Sequence, residues 1–224
     1  MTITYKDIKP WGRSLQEYID MFKLTDQDLQ LKILGCGDGP AGFNAEMHGK
    51  NLSTISADPI YKFSKNQIES KIQETSHDIL EQTRNNKDKF IWTSIKSPEE
   101  LAKIRLKSMK LFLEDFECGK KENRYIDAEL PILPFKDSQF DLALCSHFLF
   151  LYSENLSLEF HINSIKEMLR VAGEVRIFPT LDCNSNTSKH LSSIKKYFNS
   201  FKVQITKVNY EFQKNGNQML SISS

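Results

Sequence analysis

Apolar positions along the chain fall into two rhythms, short continuous runs of strand type and longer stretches in which an apolar residue returns every third or fourth place. Ser14 is placed to cap a first helix whose Leu15, Tyr18, Ile19 and Phe22 share a face, a helix expected to cover the mouth of a site. Residues 25–30 then lead into a buried strand at Leu31, Ile33 and Leu34, and Phe43, Ala45 and Met47 mark a short helix with Pro40 in its first turn. A second strand over 51–57 ends at Asp58-Pro59-Ile60-Tyr61, where the proline stops pairing.

Residues 63–123 carry no strand pattern. Two charged helices are predicted there, over 66–84 and 98–117, the second with Ser97 and Glu100 as a capping box. The stretch is too long for an ordinary crossover loop and is read as a helical insertion, expected to form a lid at the edge of the sheet. Lys103, Lys107 and Lys110 share one solvated face of its second helix. The sheet resumes at Tyr125-Ile126-Asp127 and again over 140–145. A helix with Leu158, Ile162, Ile165 and Leu169 on its apolar face follows, then a strand over 174–178 ended by Pro179. A last helix (Leu191, Ile194, Phe198) precedes strands over 203–208 and 218–222, joined as a hairpin through the Asn-Gly of residues 213–217.

Alternating elements of this kind predict an α/β domain, and one stretch in it carries chemistry: LKILGCGDGPAGF, residues 31–43. Gly35, Gly37, Gly39 and Gly42 remove side chains where the backbone must turn or let a ligand approach, directly after a strand and before a helix. Gly37, Gly39 and Gly42 satisfy GxGxxG, and Asp58 follows roughly 20 residues on, the spacing of a dinucleotide fingerprint. An ordinary glycine-rich loop is the plain alternative.

The 224 residues suit one domain, 1–224, and the balance of 30 basic and 29 acidic side chains gives a net charge of +1, with no global attraction to nucleic acid or an anionic membrane. No apolar run is long enough to span a bilayer and the start lacks a signal-peptide core, so a cytoplasmic location is expected. Cys36, Cys118, Cys145 and Cys183 lack metal or disulfide spacing; no metal site is suggested and buried thiols are expected.

The chain resembles the class I S-adenosylmethionine-dependent methyltransferases. LGCGDGPAGF is similar to that family's first motif, ADP at Asp58 to the acidic end of its second strand, and YIDAELPILPFKDSQFDLALC to its third and fourth strands. Through DPIYKFS, SHFLFLYSE and GNQML the chain more narrowly resembles an uncharacterised bacterial branch. The resemblance implies a Rossmann-like methyltransferase sheet, mostly parallel with an antiparallel last strand, flanked by helices. It implies S-adenosylmethionine as cofactor, with Gly35, Cys36, Gly37 and Gly39 against its methionine part, Asp58 and Pro59 at the ribose, Asp127 and Ala128 facing adenine, and Ser146 nearby. Ile33 stands where the family has an acidic residue.

Methyl transfer to an unidentified acceptor, a small molecule in preference to a macromolecule, is the expected function. A noncatalytic cofactor-binding or scaffold protein and an NAD-binding protein are the alternatives. His147, just past the fourth strand, is the candidate base, with Phe148, Phe150 and Tyr152 as pocket walls; a histidine that merely ends the strand is the competing reading, and His161 is a weaker candidate.

Overall fold

The computed structural model describes residues 9–224; residues 1–8, part of the start read above as lacking a signal-peptide core, lie outside the described residues. Seven strands form one sheet in the order β3-β2-β1-β4-β5-β7-β6. They are β1 (Ile33–Cys36), β2 (Thr54–Ala57), β3 (Tyr125–Ile126), β4 (Phe140–Ser146), β5 (Ala172–Phe178), β6 (Lys202–Lys207) and β7 (Gln218–Ser223). Every pairing is parallel except those of β7, which runs antiparallel to both β5 and β6. This is the Rossmann-like methyltransferase sheet expected above. It differs from the all-parallel 3-2-1-4-5-6 order of a dinucleotide-binding sheet in the reversed strand wedged between its last two.

Helices α1 (Leu15–Phe22), α2 (Phe43–His48), α3 (Lys65–Asn85), α4 (Pro98–Lys121), α5 (Leu158–Val171) and α6 (Leu191–Tyr197) cover the faces. β1 and β4 therefore read as continuous apolar runs, buried at every position but Asp141. One core forms beneath α5 and α6 around Ala143, Ile165, Met168 and Ile177, and another beneath α1 and α2 around Tyr18, Phe22, Phe43 and Leu144.

Capping fixes the helix starts: Ser14 makes a full capping box with Glu17, and Ser64 another with Gln67. At Ser97 only half the expected box forms, because Glu100 reaches the N–H of Lys96 instead. Pro40 lies outside α2, whose N-cap is Gly42, and the Gly42 N–H is taken by Ser108 Oγ of α4. The start of α2 is thus plugged by another helix and does not open toward a ligand.

Both helices of the 63–123 stretch are present. α4 packs on α2 and β3 and closes a third cluster around Tyr61, Ile72, Phe112 and Tyr125, so it serves as the crossover helix into β3, and α3 is the added layer upon it. Lys103, Lys107 and Lys110 are exposed as expected. On α5 the buried positions are His161, Ser164, Ile165, Met168 and Val171, whereas Leu158, Ile162 and Leu169 are only half-buried. The helix is rotated from the expected face because Met168 and Val171 enter the core beside β4 and β5. The link between β6 and β7 is no tight Asn-Gly turn: residues 208–217 make a long excursion that carries Tyr210 and Phe212 back over the sheet edge. Among the described residues no helix is long and apolar enough to cross a membrane.

Candidate functional site

β1, β2, β3 and β4 all end at the same edge, and there the chain turns from building the sheet one way (β1 to β3) to building it the other (β4 onward), which opens a crevice. A cleft of about 640 Å³ occupies it, within the range of small-molecule sites. Its wall brings together Cys36, Gly37, Gly39, Asp58, Pro59, Ala128, Ser146, His147 and Phe148 from the sequence-derived set.

The glycine turn forms the floor. Gly37 (φ 69°) and Gly39 (φ 54°) take left-handed conformations that a side chain would strain, and the Gly37 N–H donates to the Ala57 carbonyl at 2.9 Å. Asp58 caps a single 3-10 turn (Pro59–Lys62), one carboxylate oxygen accepting from the Ile60 N–H at 2.9 Å and the other from the Gly39 N–H at 2.8 Å. Burial pushes its carboxyl up to about 6 against those two bonds. Tyr61 completes the frame by donating to the Gly39 carbonyl at 2.7 Å.

The sequence reading passed over Asp38. This residue lies inside the turn, buried, and accepts from Ser56 Oγ at 2.6 Å and Tyr18 Oη at 2.7 Å, tying the turn to β2 and to α1. A Cβ on Gly35 would meet its carboxylate at 1.8 Å, so Gly35 is bare to make room for that acid and does not touch the cleft. Burial raises the Asp38 carboxyl to about 6. The anchor absent at Ile33 is therefore supplied five places later in the chain, and the signal for it was a carboxylate standing between two glycines.

Other expectations shift. Asp127 is exposed and absent from the cleft wall, which Ala128, Glu129, Leu130 and Leu133 form on that side. Tyr152 is buried behind the wall, its hydroxyl accepting from the Lys9 N–H at 2.9 Å, and Phe150 lies in the core against His161; neither lines the cleft. Phe148 does face the cleft, packed over Gly37. His161 is wholly buried, its two ring nitrogens against the carbonyls of Ser157 and Leu149, and acts as a strut. Of the cysteines expected to be buried, Cys36 and Cys145 are, but Cys118 is exposed and Cys183 half-buried. Burial lifts the Cys36 thiol well above its usual range, which leaves it inert as a nucleophile.

His147 leaves β4 in a left-handed conformation (φ 50°), its Nδ1 3.0 Å from Ser146 Oγ and its ring edge-on to Phe178 and Tyr210. Burial, then the charges of Arg13 and Arg105, push its pKa well below the ordinary value, so the imidazole is neutral at pH 7.

Beyond it lies a second cavity of about 90 Å³, with Trp11, Arg13 and His147 shared between the two. Its other walls come from α3, α4, the end of β5 and the 208–217 excursion. Arg105 is wholly buried there, donating to Glu17 Oε1 and, at 3.0 Å, to Tyr210 Oη. Sequence reading missed this group. Its signal was an arginine aligned with Leu101, Ser108 and Phe112 on the apolar face of a helix whose lysines all face water.

No protein-family model matches the chain. A curated relative, the uncharacterised protein MJ0045 of Methanocaldococcus jannaschii, is 36% identical over 221 residues, 98% of each chain. The chain belongs to the family of that archaeal protein. Among solved structures, the PH0226 protein from Pyrococcus horikoshii is 12% identical with a TM-score of 0.49, over 93% of this chain and 90% of that one. Magnesium protoporphyrin IX methyltransferase from Synechocystis, crystallised with S-adenosylmethionine, is 12% identical with a TM-score of 0.46, over 89% of this chain and 73% of that one. Neither likeness speaks to activity.

Proposed function

We propose that the protein binds S-adenosylmethionine in the larger cleft and transfers its methyl group to an acceptor on the far side of His147. The observation that carries this reading is the arrangement of Asp58 with the glycine turn. Each oxygen of that half-buried carboxylate accepts one backbone N–H and keeps lone pairs for the adjacent hydroxyls of a ribose. Gly37 and Gly39 leave the floor beside it bare for a chain the size of the methionine part.

When bound, the cofactor supplies a methyl group already activated on a sulfonium, so the protein's part is alignment and proton removal. Asp38 holds the turn rigid through Ser56 and Tyr18. Ala128, Leu130 and Leu133, with Glu129 among them, offer a mostly apolar slot for the adenine, a role for Ala128 that Asp127, outside the cleft wall, does not share. His147, neutral at pH 7, serves as base: with Nδ1–H donating to Ser146 Oγ, its Nε2 is free to accept a proton from the acceptor. Phe63 and Lys71 reach the cleft from the start of the 63–123 stretch, beside Lys62 of the preceding turn, which suits a lid over the bound cofactor.

The bacterial branch expected above gains no support from an archaeal relative. An intracellular, small-molecule methyltransferase is the reading adopted here; a noncatalytic cofactor binder is its rival. Mass spectrometry of the purified protein and calorimetry with S-adenosylhomocysteine and NAD test the first step. Binding of S-adenosylhomocysteine in preference to NAD is expected, and tighter binding of NAD, or of neither, would end the proposal.

A further inference from the structure

The second cavity has an imbalance of charge that the fold does not resolve. Two of the residues lining it are arginines and none is acidic. Glu17 lies outside the wall and is engaged by Arg105. Arg13 donates from Nη1 to the Trp11 carbonyl at 2.9 Å. The Nε atoms of both Arg13 and Arg105 are buried with no hydrogen-bond partner among the described residues. Two guanidiniums in one wall with no acid opposite them favour an oxygen acceptor there, and the planar fork matches a carboxylate. The remaining groups facing the space are neutral, among them His147, Tyr210 and Phe212, so nothing in the wall competes for that anion.

Size limits what enters. At about 90 Å³ the cavity is smaller than the roughly 150 Å³ apolar cavity that accepts a benzene ring. It therefore takes the acidic end of a molecule and not a whole aromatic acid. Trp11, Arg13 and His147 border both spaces, so a group bound to the arginines would present its next atoms past the imidazole toward the larger cleft.

We infer that the methyl acceptor is a carboxylic acid whose carboxylate is held by Arg13 and Arg105, with its nucleophilic atom beside His147. This deepens the methyltransferase reading and rests on it. In the step itself, a lone pair on the acceptor atom forms the new bond to the methyl carbon, and the carbon–sulfur bond breaks with its electrons returning to sulfur. The acceptor's proton passes to His147 Nε2, leaving S-adenosylhomocysteine and the methylated acid.

The test uses butyrate and butyramide as matched probes on the full chain, by calorimetry at constant ionic strength, with S-adenosylhomocysteine titrated separately. Butyrate should bind at least tenfold more tightly than butyramide and more tightly than inorganic phosphate. Arg13→Gln should abolish that preference, as should Glu17→Gln/Arg105→Gln, which removes the buried pair without stranding either charge. Equal binding of acid and amide, stronger binding of phosphate, or an undiminished preference in Arg13→Gln would overturn the inference. Because the probes do not need the cofactor, loss of S-adenosylhomocysteine binding with butyrate selectivity intact would count against the cofactor reading, and the reverse outcome against this one.

Discussion

Replacing Asp38 by asparagine tests whether a buried acid anchors the glycine turn. The side chain keeps its shape but no longer titrates, and the Ser56 hydroxyl, which now donates to the carboxylate at 2.6 Å, would meet either an amide oxygen or an amide N–H. Losing one buried donor's partner costs about 1–3 kcal/mol. Against that, the wild type at high pH holds an ionised carboxylate whose pKa is raised from 3.8 to about 6, a penalty of about 3 kcal/mol that the variant does not carry. At pH 8 the two effects offset, and the variants should differ by less than about 2 kcal/mol. The folded-state value lies above the unfolded one, so the native state binds the proton more tightly. The stabilisation from protonating Asp38 is fully present below 3.8 and lost as pH rises through 6. Moving from pH 8 to pH 5 should stabilise the wild type relative to Asp38→Asn by about 1.4 kcal/mol. Urea unfolding of both proteins at the two pH values measures this, since titrating groups that do not interact with Asp38 cancel in the difference, and Asp58, which the Asp38 charge pushes up, moves it in the same direction. A gap that does not change with pH, or that moves in favour of the variant at pH 5, would show that the carboxylate is not held against ionisation and the account of the turn is wrong.

Asp58→Ala should weaken S-adenosylhomocysteine binding by about 1.5–3 kcal/mol, and in the wild type affinity should fall as pH drops through about 6, where that carboxyl protonates; calorimetry across pH 5–8 checks both. Glu17→Ala strands the buried Arg105 and should destabilise the fold by about 3–5 kcal/mol in urea melts, while Glu17, whose own pKa is lowered to about 2, should add stability above pH 4.5 that is lost as pH falls through about 2. Once an acceptor acid is found, His147→Gln should lower kcat by roughly a hundredfold, and turnover at the wild-type rate would leave His147 a strand-ending residue. Hydrogen exchange over 63–123 should slow when S-adenosylhomocysteine is added; identical exchange would make the stretch a structural elaboration and not a lid.

Much of this molecule is written locally. A continuous apolar run ending in alternating glycines and a second strand ending in Asp-Pro are each signals within a few residues, and both strands and Asp58 follow from them, although β1 begins at Ile33 and takes in Gly35 and Cys36, expected in the turn, and β2 begins only at Thr54. Capping serines at 14 and 97 set helix starts for the same reason, since the bond that defines a cap spans three residues. Periodicity reports that a position is buried but not what it meets. It could not give Asp38 its partners at Ser56 and Tyr18, 18 and 20 residues away, or explain Gly35 as the space for that carboxylate. Nor could it foresee that Arg105 would meet Tyr210 across 105 residues, because the 208–217 excursion passed for a simple turn. The helix face of α5 failed likewise: two apolar stripes were compatible with its sequence, and packing against β4 and β5 chose between them. Strand ends and turn chemistry follow from steric and hydrogen-bonding rules acting between neighbours. The acid beneath the glycine turn and the two arginines gathered beyond His147 exist only once distant segments are closed upon each other and water is excluded between them.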